Sequence, residues 1–359
     1  MPQQFRSIAG IHTKSEAVDV NIVTTVKSKP SPSTSRRAKK SAKDRRDVPA
    51  TPTSAGLTND AGIAAAAALG VKLTSPDKAV YPGITKAQLV AYYGAVAERM
   101  LPHVANRPLT LLRRPTGSPR GFFQKHDSGG FPDAFKKVRI TETIGKDDMY
   151  LYIDDAAGLA ACVQMSALEL HVWGSHVDNL ELPDRIVFDI DPDEGLGFDS
   201  VRDAAQHIRE ELAKWALESF PMLTGGKGIH VIAPLRPVLD WPDIKLFCRT
   251  FAEKLALNEP DRFTANIRKA KRTGRMFVDY LRNERGATAV APFSTRAKPG
   301  CPVAVPVSWD ELGTIESANG FSLAEAVARA KEPDPWPSYF DLTQSVTKAM
   351  LSSVAGDKL

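Results

Sequence analysis

Cysteine is scarce in this 359-residue chain: Cys162, Cys248 and Cys301 are all it has. They stand far apart in no paired spacing, which supports neither a disulfide framework nor a zinc site. An apolar start behind basic residues is missing, and so is any apolar run long enough to cross a bilayer. Nothing therefore supports secretion or a membrane partner, and the expected compartment is the cytoplasm. Charge of one sign is also lacking over most of the chain. The net charge is +5, but the stretch from Lys27 to Arg46 holds nine Lys or Arg residues against Asp44 alone, which is +8 and leaves −3 for the rest. Overall charge thus says nothing for nucleic acid, and that case rests on local basic clusters and on chemistry. What is there is 43% hydrophobic residues, enough for one large core or two smaller ones.

Residues 1–70 are rich in Ser, Thr, Pro, Lys and Ala without a sustained amphipathic period, the composition of a disordered basic arm or linker. Folded texture is expected from Val71, so the chain divides into an arm, 1–70, and one domain, 71–359. Thr85-Lys86-Ala87-Gln88 is a capping-box pattern that opens a helix through Leu89, Tyr92, Tyr93, Val96 and Met100. Beyond it strands are expected at 109–113, 121–125, 150–153, 169–173, 185–191, 229–235, 277–281, 287–291 and 303–307. Helices are expected at 157–165, 200–217, 243–257, 323–330 and 342–354. The mixture indicates an α+β enzyme.

Ile186-Val187-Phe188-Asp189-Ile190-Asp191-Pro192 alternates aspartates with large apolar residues. Period two puts both carboxylates on one face while Phe188 and Ile190 turn to a core. Two like charges side by side need neutralising, and a divalent cation does this, although spacing alone does not separate the pair from a polar strand edge. A third aspartate, Asp279, is embedded in Arg275-Met276-Phe277-Val278-Asp279-Tyr280-Leu281. Its alternatives are a metal site shared with the other two and an ion pair with Arg275 or Arg282. Between these segments Leu223-Thr224-Gly225-Gly226-Lys227-Gly228-Ile229-His230 forms a glycine-rich turn. Its amides, Lys227, His230 and the Thr224 hydroxyl can meet phosphate oxygens, yet it lacks the Walker A spacing and is followed by a strand-like run. Basic residues cluster at Arg268, Lys269, Lys271, Arg272 and Arg275. A second cluster is Arg113, Arg114, Arg120, Lys125, Lys136, Lys137 and Arg139, interleaved with Phe122, Phe123 and Phe131.

In order, FDIDP, TGGKGIHV and FVDYLRN resemble the three motifs of the archaeo-eukaryotic primase superfamily in its ligase D polymerase branch. RPLTLLR at 107–113, FFQKH at 122–126, ALELHVWGSH at 167–176 and RGATAVAPFSTRA at 285–297 are similar to the same branch, so the resemblance runs from about Val71 to Phe340. It implies a two-part primase-polymerase type α+β fold whose catalytic sheet is similar to an RNA-recognition module. It implies Asp189, Asp191 and Asp279 as catalytic ligands of two divalent ions, Mg²⁺ or Mn²⁺, and Thr224, Lys227 and His230 as triphosphate or sugar contacts. Phe123 would stack on the incoming base and His171 would lie near the ribose. Arg272, Arg282, Ser294 and Arg296 would border the nucleotide, and Lys78 and Lys86 would hold a DNA 5′-phosphate. Thr224 departs from the serine of the family pattern, keeping the hydroxyl and adding a methyl.

The implied activity is nucleotide addition, with ribonucleotides preferred, to 3′ ends at gaps or double-strand breaks in non-homologous end joining. Implied partners are broken or gapped DNA, nucleoside triphosphates, the Ku end-binding protein, and ligase and phosphoesterase modules or proteins. The Lys-x-Asp-Gly motif of nucleotidyl-lysine ligases does not occur, so sealing is expected from another polypeptide or another part of a larger protein. The rival readings are a primase, a metal-dependent nuclease and a non-catalytic end-binding scaffold. The glycine-rich triphosphate loop argues against a nuclease, the intact aspartates against a scaffold, and the lack of clustered cysteines against zinc-bearing primases.

Overall fold

The computed structural model describes residues 56–115, 121–142 and 144–356. Residues 1–55, most of the expected arm, lie outside the described residues, as does Arg120 of the second basic cluster. The remainder of that arm is folded. Helix α1 (Asn59–Ala68) is capped by the Thr58 hydroxyl and packs on the capped helix α2 (Lys86–Val104) so closely that a Cβ on Gly62 would sit 1.8 Å from the Ala87 carbonyl oxygen. Its alanines are the best helix formers but carry almost no amphipathic contrast, so periodicity misses them. Folded structure therefore starts before Val71.

The ribbon β1 (Ala79–Tyr81) and β2 (Ile84–Thr85) precedes α2, whose capping box at Thr85 and Gln88 is in place. Then come β3 (Leu109–Arg113), β4 (Phe122–Gln124), the hairpin β5 (Lys136–Thr141) and β6 (Asp147–Tyr152), α3 (Ala156–Gln164) and β7 (Ala167–Val172). The second half runs β8 (Arg185–Pro192), α4 (Phe198–Ala213), β9 (Phe220–Leu223), β10 (Ile229–Pro234), α5 (Trp241–Asn258), β11 (Phe263–Thr264), a 3-10 turn (Lys269–Lys271) and β12 (Met276–Asp279). β13 (Ala289–Val290), β14 (Val305–Pro306), α6 (Trp309–Leu312), α7 (Leu323–Ala330) and α8 (Lys348–Gly356) close the chain. Every expected element is present, and α1, β1, β2, β5, β9, β11, the 3-10 turn and α6 are additions. β9 is buried at every position, which erases the alternation a sequence reading looks for.

Two sheets carry the architecture, in agreement with the two-part α+β expectation. One has six strands in the order β11-β12-β8-β10-β9-β14, all antiparallel neighbours except β11 and β12; the other has four, β13-β7-β3-β4. Helices α4 and α5 cover the large sheet, where Phe188 of β8 meets Phe251 of α5 with ring centroids 4.8 Å apart. Helix α3 backs β7, and one continuous apolar core joins both halves. In β8 the side chains of Phe188 and Ile190 enter this core while Asp189 and Asp191 emerge on the opposite face, as period two requires. No helix among the described residues is long and apolar enough to cross a membrane.

Candidate active site

Strand register builds the site. β12 pairs with β8 so that Asp279 stands opposite Asp189, and β10 pairs with β8 so that His230 stands opposite Asp189. Three adjacent strands thus present Asp279, Asp189 and His230 in one row, with Asp191 two residues along. Asn283 secures the row just beyond β12: its amide accepts from Val187 N at 2.7 Å and donates to Val187 O at 2.8 Å and Tyr280 O at 2.9 Å. The sequence reading gave Asn283 no role, and the signal was available only as the last letter of FVDYLRN.

Arg282 Nη2 lies 3.0 Å from Asp189 Oδ2 and 3.4 Å from Asp279 Oδ2, and His230 Nε2 lies 3.5 Å from Asp189 Oδ1. Of the two ion-pair partners open to Asp279, Arg282 is the one within reach; Arg275 instead donates to the carbonyls of Lys271 and Pro260. Burial acts to raise the Asp189 carboxyl, but His230 and Arg282 outweigh it and hold the group well below the usual carboxylate range. Asp191 and Asp279 move the other way, pushed up by desolvation and by the Asp189 charge. One carboxylate held ionised beside two that resist ionisation is the donor set a divalent cation satisfies.

The glycine loop closes over this row. Thr224 N and the Thr224 hydroxyl both donate to Gly228 O, at 3.2 and 2.9 Å, which ties the loop ends together. A Cβ at Gly228 would lie 2.3 Å from Ile190 O, and Gly225 holds a φ of +64° against Val303 and Arg296, so both positions require glycine. Lys227 is left exposed at the rim. A cavity of about 280 Å³ results, walled by the six-stranded sheet through Asp189, Asp191 and His230, by the loop through Thr224, Lys227 and Gly228, and by His171, Arg282, Val290, Arg296 and Lys298.

Of the expected nucleotide contacts, Thr224, Lys227, His230, His171, Arg282 and Arg296 share this cavity. Phe123 stands at its mouth, 63% exposed, with its ring edge-on to His171 at 5.7 Å. Arg272 sits over the Phe277 ring, its guanidinium carbon 3.6 Å from the ring centre, and reaches Asp191 at 3.6 Å from outside the cavity wall. Ser294 is fully buried; its hydroxyl accepts from Leu170 N and donates to Thr295 O, so it holds the loop that carries Arg296 and does not border the cavity. That loop is pinned from below by Tyr92, which donates to Phe293 O at 2.8 Å, and by Tyr93, 3.1 Å from the Thr295 hydroxyl.

Lys86 is buried and donates to Thr74 O and Gln164 Oε1 at 3.0 and 3.1 Å; desolvation and then the neighbouring Lys78 lower its basicity. Besides Asn283, two more residues went unnoticed in the sequence. Lys298 lines the cavity two positions beyond Arg296, and Glu169 lies under it, two positions before His171. In the second basic cluster Arg113 and Arg114 serve the fold, donating to Met165 O and Val80 O. Apart from the aspartate row, His126, Glu142 and Asp148 bring donor atoms within 4.8 Å of one another, but Lys146 and Tyr150 already engage the two carboxylates.

A family model for the LigD primase-polymerase domain matches residues 85–336, a span that contains the whole cavity. The chain belongs to that family. It is thereby a nucleotidyltransferase of the polymerase type. Similar proteins include the multifunctional non-homologous end joining protein LigD of Pseudomonas aeruginosa, 35% identical over 303 residues, covering 81% of this chain and 35% of that protein. The corresponding LigD of Mycolicibacterium smegmatis is 35% identical over 251 residues, covering 68% of this chain and 33% of the relative. This LigD-family chain therefore spans about a third of the length of these relatives. Among solved structures, the polymerase domain from Mycobacterium tuberculosis ligase D in complex with DNA matches with a TM-score of 0.70 and 32% identity, over 76% of this chain and 99% of that one.

Proposed function

We propose that this LigD-family chain adds nucleotides, ribonucleotides in preference, to 3′ ends at DNA gaps or double-strand breaks during non-homologous end joining. The observation that carries the reading is the row Asp279, Asp189, His230 across three strands, facing a glycine loop with Lys227 at its rim. Hydrolysis alone has no need of a cradle for a leaving pyrophosphate, whereas polymerisation does.

Asp189, Asp191 and Asp279 would hold two divalent ions, Mg²⁺ or Mn²⁺. When bound, these supply a lowered pKa for the attacking hydroxyl and charge neutralisation at the leaving oxygen. The residues of the chain do the rest. Lys227, Lys298 and His230 bind the triphosphate, Arg282 and Arg296 border it, His171 meets the sugar, and Phe123 offers a face to the base. The 3′ oxygen forms its bond to the α-phosphorus as the bond to the bridging oxygen of pyrophosphate breaks. Lys78 is proposed as the 5′-phosphate anchor, with Lys86, buried on Thr74 O and Gln164 Oε1, bracing the segment that carries it, and Ku, ligase and phosphoesterase modules are proposed as partners.

The test incubates the chain with a gapped or 3′-overhang duplex, each triphosphate in turn, and Mg²⁺ or Mn²⁺, and resolves the products on one gel. Stepwise 3′ extension that improves with a 5′-phosphate across the gap is expected. Shortened strands would make the chain a nuclease, and unchanged strands with retained DNA binding would make it a scaffold.

A further inference from the structure

One buried carboxylate joins three parts of the cavity wall. Glu169 and His171 are two residues apart on β7 and so share a face of that strand. Glu169 Oε2 lies 2.8 Å from His171 Nε2 and 3.1 Å from Arg296 Nε, and Glu169 Oε1 accepts from Ala297 N at 2.8 Å. Arg296 in turn donates through Nη1 to Thr224 O, which extends the linkage to the glycine loop. Glu169 itself is buried and is not part of the cavity surface.

We propose that Glu169 is the positioning residue of the nucleotide site, fixing the ring proton of His171 on Nε2 and aiming Arg296 along the cavity wall. This rests on reading the cavity as the binding place of a nucleoside triphosphate. An ionised carboxylate only accepts hydrogen bonds, so the ring nitrogen facing it carries the proton and Nδ1 is left as an acceptor. Burial works to raise the Glu169 carboxyl, but His171, Arg296 and Ala297 outweigh it and bring it down to about 2, which keeps it an acceptor throughout the neutral range. Burial lowers His171 in the same environment, so the ring is neutral and the choice of nitrogen is meaningful. A nucleotide hydroxyl that donates can meet such an Nδ1; one that must accept cannot.

Glu169→Gln keeps the shape but sets an NH₂ against the His171 N–H where Oε2 accepted, and removes the negative charge beside Arg296 Nε. The ring proton then moves toward Nδ1, and Arg296 loses one of its two anchors. The experiment uses the full chain labelled with ¹⁵N-histidine, with His171→Ala to assign the signal, and measures ATP binding in the presence of Mg²⁺. The wild type is expected to report Nε2–H at His171. Glu169→Gln is expected to report a shifted tautomer and ATP binding weaker by about ten- to a hundredfold, the scale on which such outer partners act. In steady state KM for ATP should rise more than kcat falls. In the His171→Ala background the same substitution should cost much less, because the two act as one unit.

A folded Glu169→Gln protein with the wild-type tautomer and ATP affinity overturns the proposal, as does an equal loss with and without His171. Should Glu169→Gln fail to fold, Glu169→Asp supplies the readout. It keeps the charge with a shorter reach, and is expected to preserve the tautomer and weaken ATP; a tautomer change there contradicts the assignment. A wild-type chain that binds ATP with Nε2–H but extends no DNA sinks the proposed function and leaves the role of Glu169 standing.

Discussion

Asp189 and Asp279 face each other in register across the antiparallel pair β8 and β12, and Arg282 Nη2 stands between their carboxylates at 3.0 and 3.4 Å. Asn283 braces the pair from just past the end of β12, where its amide bonds both the N–H and the carbonyl of Val187. Asp191 and Asp279 are raised first by desolvation and then by repulsion within the three-carboxylate group.

Asp191→Asn and Asp279→Asn remove that repulsion. Each is expected to leave the metal-free melting temperature unchanged or higher and to shrink the stabilisation that Mn²⁺ gives the wild type. Nucleotide addition should fall by at least about a hundredfold, the scale of one lost electrostatic stabiliser. Thermal melts with and without Mn²⁺ decide it: an undiminished Mn²⁺ shift in both variants removes these aspartates from the metal site.

Gly228→Ala places a methyl group 2.3 Å from Ile190 O, a backbone atom that cannot yield without moving β8. The expected cost is about 1–3 kcal/mol of stability, together with a raised nucleotide KM because the Thr224 closure shifts. Denaturant unfolding and steady-state kinetics measure the two, and a neutral Gly228→Ala would mean the loop is slack.

Lys86→Ala and Lys78→Ala should separate. Lys86 is buried on Thr74 O and Gln164 Oε1, so its loss takes the donor from Thr74 O, while Gln164 Oε1 keeps Thr74 N, at a cost of about 1 kcal/mol. Lys78→Ala should stay within about 0.5 kcal/mol of the wild type and reduce the preference for a 5′-phosphorylated gap. Equal preference for phosphorylated and unphosphorylated gaps in the wild type would contradict the anchor altogether.

Acid should expose Glu169. Its folded value of about 2 lies below the ordinary 4.5, so its contribution is full above pH 4.5 and is lost as pH falls toward 2. The stability gap between wild type and Glu169→Gln is expected to be widest above pH 4.5 and to close in that window. Urea unfolding at stepped pH reads it, and a gap independent of pH would assign the loss to packing.

Deleting residues 1–55 should leave activity on short duplexes nearly intact, whereas deletion through Leu69 strips α1 from α2. The longer deletion should cost on the order of 2 kcal/mol, seen as a lower melting temperature. Loss of the arm alone should flatten the dependence of log K on log salt for a long blunt duplex. Identical slopes would show that the arm does not touch DNA, and a fall in single-turnover rate at saturating DNA would place it in the folded enzyme.

Much of this was legible in the chain itself. Alternation in 185–191 gives a strand with two aspartates on one face, Thr85 and Gln88 give the start of α2, and the three ordered motifs give the family, because each is a local property of spacing and residue type. Helix α1 was not legible, since alanine promotes a helix without marking a face, and neither was β9, buried at every position. The site depended on tertiary structure wherever a role is shared between distant segments. Asp279 meets Asp189 only through strand register, Lys298 reaches the cavity only because Tyr92 and Tyr93 pin its loop, and Ser294 turns inward where the motif implied a contact. Glu169 is the clearest case. In sequence it is one acidic residue two positions before His171 in a strand, and only the fold brings Arg296 and Ala297 to it, because contacts between segments 127 and 128 positions apart are set by packing and leave no local pattern.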